Sequence, residues 1–187
     1  MDDKRLYFIA LLPPVELSKK ISVIKNNFAS EYNCQYALKV LPHITIQNPF
    51  KRSPVSEVEM HLSLQNFFEA VESFEISLKG YGCFDKGTNK VIFIHVEETN
   101  HLMELRDKLM IKLREELRFP TSETPLSFHP HVTIAYRDLS SEDFRKAWAI
   151  YKDISFNVNF HVSRAYLLKH NFRQWEVLSE FNFRSQN

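Results

Sequence analysis

The same five-residue phrase occurs twice in this chain, as Pro42-His43-Ile44-Thr45-Ile46 and as Pro130-His131-Val132-Thr133-Ile134. The copies stand 88 residues apart, counted from His43 to His131, so each half of a 187-residue chain carries one. That is the pattern of a fold built from two equivalent halves. In an extended segment successive side chains point to opposite faces, so His43 and Thr45 share one face while Ile44 and Ile46 share the other. The second copy divides the same way, with His131 and Thr133 opposite Val132 and Ile134. The apolar faces belong in a core. The polar faces offer two imidazoles and two hydroxyls, a set suited to acid–base chemistry on a bound phosphate.

Composition narrows the choices around this pair. The chain is 44% hydrophobic with 16 Phe and 7 Tyr, enough for a large packed interior. Residues 1–187 therefore read as a single two-lobed domain, frayed only at its ends. The three glycines (Gly80, Gly82 and Gly87) fall in one short stretch, so no Gly-rich cradle of the Walker or Rossmann type exists. A net charge of +1 argues against coating duplex DNA, and leaves a small phosphoester or an RNA end met by a local basic patch. Cys34 and Cys83 lack metal spacing and read as free thiols of a reducing compartment. The apolar run Leu6 to Leu12 is too short to span a bilayer. We expect a cytoplasmic monomer with no membrane partner.

The local patterns place the phrase in a regular order. Leu6 to Leu12 reads as a buried strand ended by Pro13-Pro14, followed by a helix with Leu17, Ile21, Ile24 and Phe28 on one stripe. Leu41 to Gln47 is the first motif strand, closed by Pro49. Ser53-Pro54 opens a helix to about Val71 on Val55, Val58 and Leu62. Phe74 to Leu78 and Val91 to Val96 are strands flanking a turn near Gly87. Thr99 to Leu117 is a leucine-striped helix, and His131 to Tyr136 is the second motif strand. Ser140 with Asp143 caps a short helix carrying Phe144 and Trp148. Ile154 to Leu168 and Trp175 to Phe183 finish as strands joined near Asn171. The order βαβαββ then αβαββ predicts an α+β fold, bilobal, with two pseudo-symmetric antiparallel-rich sheets and flanking helices around a central cleft.

A phosphodiester between His43 and His131 would find what its chemistry needs. One proton leaves the attacking oxygen and another reaches the leaving oxygen, and histidine does either near neutral pH. Thr45 and Thr133 would donate hydrogen bonds to the non-bridging oxygens. No metal and no cofactor is required. Imidazoles also bind zinc, but no HExxH helix or carboxylate at ligand spacing accompanies these two. The bland alternative is a pair of unrelated half-buried histidines, with threonines present for strand propensity.

The paired phrases resemble those of the two-histidine (2H) phosphoesterase superfamily, which includes the 2′-5′ RNA ligase-like proteins and cyclic phosphodiesterases. The opening Leu6-Tyr7-Phe8-Ile9-Ala10-Leu11-Leu12-Pro13-Pro14 is similar to that family's first strand and turn. The resemblance implies a bilobal fold with His43 and His131 as acid and base and Thr45 and Thr133 on the phosphate. It implies action on a 2′,3′-cyclic phosphate or a 2′-5′ linkage of RNA or nucleotides, and a 2′-phosphate product on ring opening. Where many relatives carry a basic residue two positions after the motif threonine, this chain has Gln47 and Ala135. Lys51, Arg52 and Arg137 are the nearby cations that could replace it.

Further candidates for substrate binding are Tyr136, Arg137, Phe84 and Tyr7. Tyr136 could reach a phosphate oxygen or a base, and Phe84 could stack on a nucleobase. His95 is placed on a central strand and His129 at the cleft rim. His161, on the polar face opposite Phe160, faces solvent, and His61, His101 and His170 read as surface residues. Two other functions fit the same residues: a non-catalytic nucleotide- or RNA-end-binding module, and an enzyme for a non-RNA phosphoester such as a cyclic ADP-ribose derivative.

Overall fold

The computed structural model describes residues 4–87, 89–125 and 127–184. Along the chain these form β1 (Arg5–Leu11), α1 (Val15–Glu31), β2 (Ile44–Arg52), α2 (Glu57–Phe68), β3 (Phe74–Lys86), β4 (Asn89–Val96), α3 (Asn100–Glu115), β5 (His131–Ala135), α4 (Ser141–Tyr151), β6 (Asn157–Val162), β7 (Arg164–His170) and β8 (Trp175–Asn182). Helix starts follow their capping residues. The Thr99 hydroxyl accepts the Leu102 N–H at 3.3 Å to open α3, and Ser140 accepts the Asp143 N–H at 3.0 Å to open α4.

The strands join in one antiparallel sheet of order β6-β3-β4-β5-β2-β1-β7-β8, where two sheets were expected. What merges them is the pairing of the two motif strands, β2 and β5, through one registered pair, Ile44 with Val132. The predicted symmetry survives inside the single sheet. On each side of that joint a strand, a helix and a motif strand follow one another, β1-α1-β2 in one half and β4-α3-β5 in the other. The segment expected as one strand, Ile154 to Leu168, is two. It breaks at Ser163, so β6 closes one half and β7 enters the other.

Packing follows the apolar periodicity in α1 and α3. Leu17, Ile21 and Phe28 of α1 are buried, as are Leu102, Leu105, Leu109 and Leu113 of α3. The expected stripe of α2 is wrong: Val55, Val58 and Leu62 are 89%, 71% and 57% exposed, and Met60, Leu64 and Phe68 are buried in their place. A 3-10 turn at Pro54–Ser56 precedes α2, whose helical phase starts at Glu57 and turns the larger side chains inward. Strand β2 runs on through Pro49 to Arg52, because irregular register against β1 relieves the ladder of the missing N–H.

The inward faces of the motif strands behave as their alternation dictates. Ile44, Ile46, Val132 and Ile134 are each at most 1% exposed. Each such side chain contributes on the order of 1.5–3 kcal/mol by burial. That anchoring presents the alternate residues on the opposite face. No described helix is long and apolar enough to cross a membrane.

Candidate active site

Pro42 and Pro130 act on the residues before them: a residue preceding proline is disfavoured from the helical region, which biases Leu41 and His129 alike toward extended backbone. Each presents its carbonyl to the imidazole two residues on: Nδ1 of His43 lies 2.7 Å from the Leu41 oxygen, and Nδ1 of His131 lies 2.8 Å from the His129 oxygen. A carbonyl only accepts, so Nδ1 carries the hydrogen in both rings and donates it. Nε2 is left as the nitrogen that takes or gives a proton.

Continuing the antiparallel register from Ile44 and Val132 sets His43 opposite Thr133 and Thr45 opposite His131. All four lie on one face of the β2–β5 pair. The histidines occupy one diagonal, with Cβ atoms ~7–8 Å apart, and the threonines the other. A tetrahedral phosphate placed over this square meets an imidazole from either side and a hydroxyl from either side.

Rings on the neighbouring strands back the imidazoles in matching fashion. Phe8 of β1 packs 4.9 Å from His43, and Phe93 of β4 packs 5.0 Å from His131. Phe93 needs Gly82 across the ladder, since a Cβ there would come within 2.4 Å of its ring. Burial against these rings disfavours the charged form of each imidazole. His43 is lowered to about 4 by burial first, with Lys25 and His131 opposing its protonation further. His131 is also lowered, again by burial first and then by His129, while the His129 carbonyl works against the shift. Lys25 is itself buried, donating to the Val40 carbonyl at 2.7 Å, and burial lowers it to about 8.

A cavity of about 320 Å³ opens over three corners of the square, His43, Thr45 and Thr133, and is walled by aromatic side chains; His131, the fourth corner, is not part of its lining. One wall is Phe8 with Trp175, 4.6 Å apart edge to face, and His170 against Trp175 at 5.0 Å. The other is Tyr36, Tyr136 and Arg137. The guanidinium of Arg137 stands 4.5 Å over the Tyr36 ring and donates to its hydroxyl. Asp138 pins this wall by accepting the backbone N–H groups of Gln35 and Tyr36 at 2.8 and 2.9 Å and the Cys34 thiol at 3.0 Å. The Cys34 thiol is pushed up to about 12, by burial first, which makes it inert as a nucleophile.

Of the residues singled out from sequence, the structure thus gathers His43, His131, Thr45, Thr133, Tyr136 and Arg137. Phe84 lies beside them, 5.4 Å from the His131 ring. Tyr7 does not join them. It is fully buried on the other side of β1, where its hydroxyl donates to Glu57 at 2.6 Å. Replacing Tyr7 by Phe is expected to cost about 1 kcal/mol in denaturant unfolding and to leave substrate KM unchanged. Arg52 is also elsewhere, bonded to Glu123 at 3.0 Å with its guanidinium 3.8 Å over Phe119. Gln47 is buried and donates to the Glu123 carbonyl at 2.8 Å. Phe8, Tyr36, Trp175 and His170 line the cavity although sequence reasoning passed over the first three and set His170 on the surface. Among the described residues, no group of three or more His, Cys, Asp or Glu side chains is arranged to hold a metal ion.

The fold has solved counterparts. TT0787 of Thermus thermophilus matches 98% of this chain and 100% of its own at a TM-score of 0.68 and 20% identity. LigT of E. coli in its apo form matches 97% and 98% at a TM-score of 0.68 and 17% identity, and LigT complexed with 3′-AMP matches 96% and 98% at 0.67 and 17%. These define a LigT-like α+β fold. In sequence, residues 13–173 match the 2′-5′ RNA ligase superfamily. A Bacillus licheniformis protein provisionally named a phosphoesterase is 30% identical over 133 residues, 70% of each chain. This chain belongs to the 2′-5′ RNA ligase superfamily, a family of phosphoesterases.

Proposed function

We propose that this protein cleaves an RNA-type phosphodiester, a 2′,3′-cyclic phosphate or a 2′-5′ linkage, by two-histidine acid–base catalysis without a metal. The observation that carries this reading is the square of His43, Thr133, Thr45 and His131, with both Nδ1 atoms bonded to carbonyls and both Nε2 atoms left for proton transfer. His43 is the base. Burial first, and then the charge on Lys25, lowers its imidazole to about 4, which favours the neutral form that a base needs. His131, lowered by burial without an ammonium among its causes, is left to act as the acid. In hydrolysis of the cyclic phosphate, Nε2 of His43 takes a proton from water as the water oxygen bonds to phosphorus. The bond from phosphorus to O3′ breaks, and that oxygen takes its proton from Nε2 of His131, leaving a 2′-phosphate. Thr45 and Thr133 donate to the non-bridging oxygens, where charge gathers.

Arg137 supplies the cation that Gln47 and Ala135 do not. Its guanidinium stands at the cavity wall between two tyrosine rings and faces an anion there without losing its stacking. The aromatic lining suits a nucleoside, and E. coli LigT has been solved with 3′-AMP, phosphate, ATP and NADP+. The test is incubation of the purified protein with 2′,3′-cyclic AMP and with 2′-5′-linked diadenylate in the presence of EDTA. Turnover of either, with release of a 2′-phosphate from the cyclic substrate, is expected. Binding of AMP without turnover of either between pH 5 and 8 would make the protein a nucleotide-binding module instead.

A further inference from the structure

Among the described residues the fold buries two cations, Lys25 at 2% and Arg106 at 3% exposure. They stand on equivalent helices, Lys25 on α1 between β1 and β2 and Arg106 on α3 between β4 and β5. Each interrupts the buried apolar stripe of its helix, Lys25 between Ile21 and Phe28 and Arg106 between Leu102 and Leu109. An apolar side chain would fill either place without desolvating a charge, and burial disfavours the charged form of both. Each donates to a backbone carbonyl on the approach to a Pro-His phrase. Nζ of Lys25 donates to the Val40 oxygen at 2.7 Å. Nη2 of Arg106 donates to the Pro125 oxygen at 2.7 Å, with the guanidinium 5.4 Å over the Phe128 ring. Val40 directly precedes Leu41, whose carbonyl accepts from Nδ1 of His43, and Phe128 directly precedes His129, whose carbonyl accepts from Nδ1 of His131.

We propose that Lys25 and Arg106 are paired positioning residues, each holding the stretch of backbone from which one catalytic imidazole takes its orientation. The inference rests on the two-histidine reading of the site and carries it from the motif strands to the helices. The two carbonyl acceptors lie upstream of β2 and β5, so the strand ladder does not hold them. Leu41 and His129 are themselves exposed, and their side chains give those carbonyls little anchorage. A hydrogen bond from a charged donor is stronger than a neutral one, and burial strengthens it further. Lys25 needs to reach only the peptide next to the acceptor. Arg106 serves a longer approach by touching it at two points, which its larger planar fork allows. The placement matters because a shift of about 1 Å at a catalytic group is enough to cost about a hundredfold in rate.

The test is the imidazole nitrogen NMR spectrum of Lys25→Met and Arg106→Met, with histidine isotopically labelled, beside kcat and KM on 2′,3′-cyclic AMP. Lys25→Met should cost His43 its Nδ1–H preference and leave His131 as it was, and Arg106→Met should do the reverse. Each should lower kcat by roughly tenfold or more, with KM within about twofold of wild type. Lys25→Arg and Arg106→Lys, which keep a charged donor, should retain both Nδ1–H tautomers and restore most of kcat. For a Met variant that does not fold, Gln at that position, polar but shorter, carries the same expectation. Both rings unchanged, or both changed together by either replacement, would overturn the pairing, because general loosening of the fold does not select one ring. The spectra need no substrate, so they separate the two readings. Rings that respond as expected in a protein that cleaves nothing keep the positioning and remove the enzyme, whereas cleavage of cyclic AMP with unresponsive rings keeps the enzyme and removes the positioning.

Discussion

Replacing His43 or His131 by alanine is expected to lower cleavage of 2′,3′-cyclic AMP by about 10²–10⁴-fold each. Turnover at saturating substrate, with circular dichroism as the check on folding, measures this. The double replacement should fall little further than the worse single one, because acid and base act in one concerted transfer and removing either disables the other. Both rings stand on the cleft face and are only half-buried, so the fold should tolerate their loss. A double variant that retains wild-type turnover would reject both roles. Thr45→Val and Thr133→Val keep the side-chain shape and remove one donor each, and should cost less than either histidine.

The dependence of kcat/KM on pH should peak on the acid side of 6.5, the ordinary imidazole value. The productive free enzyme carries a neutral His43 and a protonated His131. His43 is lowered to about 4, and His131 is lowered as well. Activity therefore rises as His43 loses its proton near pH 4. It falls as His131 loses its own below the ordinary imidazole value, by about tenfold per pH unit beyond that point. Across roughly pH 6.5 to 8.5 the loss should approach about a hundredfold. A bound phosphate anion favours the protonated form of both rings, so the kcat profile should lie to the alkaline side of the kcat/KM profile. A kcat/KM still rising above about pH 7 would remove the assignment. Lys25→Met, which keeps the bulk and removes the charge facing His43, should move the acid limb upward.

The repeated phrase made much of this site legible, because period-two alternation fixes which residues share a face. The prolines were informative too, since each biases toward extended backbone the residue whose carbonyl orients the imidazole. β1 was not legible in the same way. Leu6 to Leu12 is apolar throughout, so alternation cannot distinguish its two faces, and Tyr7 was assigned to the side that Phe8 occupies. The aromatic walls were hidden for another reason. Trp175 and His170 come from the β7–β8 hairpin, brought beside β2 by the pairing of β7 with β1, and Tyr36 from a 3-10 turn held by Asp138, contacts that no local pattern encodes. The single sheet is not legible in the sequence because its two motif strands share one registered pair, Ile44 with Val132. The face of α2 was misread because the 3-10 turn before it shifts the helical phase.

The two halves of the sheet are not the two halves of the chain. β3, β4, β5 and β6 are contiguous in sequence, whereas the other half pairs β1 and β2 with β7 and β8 from beyond residue 163. A ribosome making this protein N-terminus first completes the inner block while the outer one still lacks half its strands. β1 and β2 must then wait, with the edge that β7 will occupy uncovered, for more than a hundred residues of translation. The cleft wall that includes Trp175 forms last, so competence to grip a nucleotide arrives only with the final hairpin.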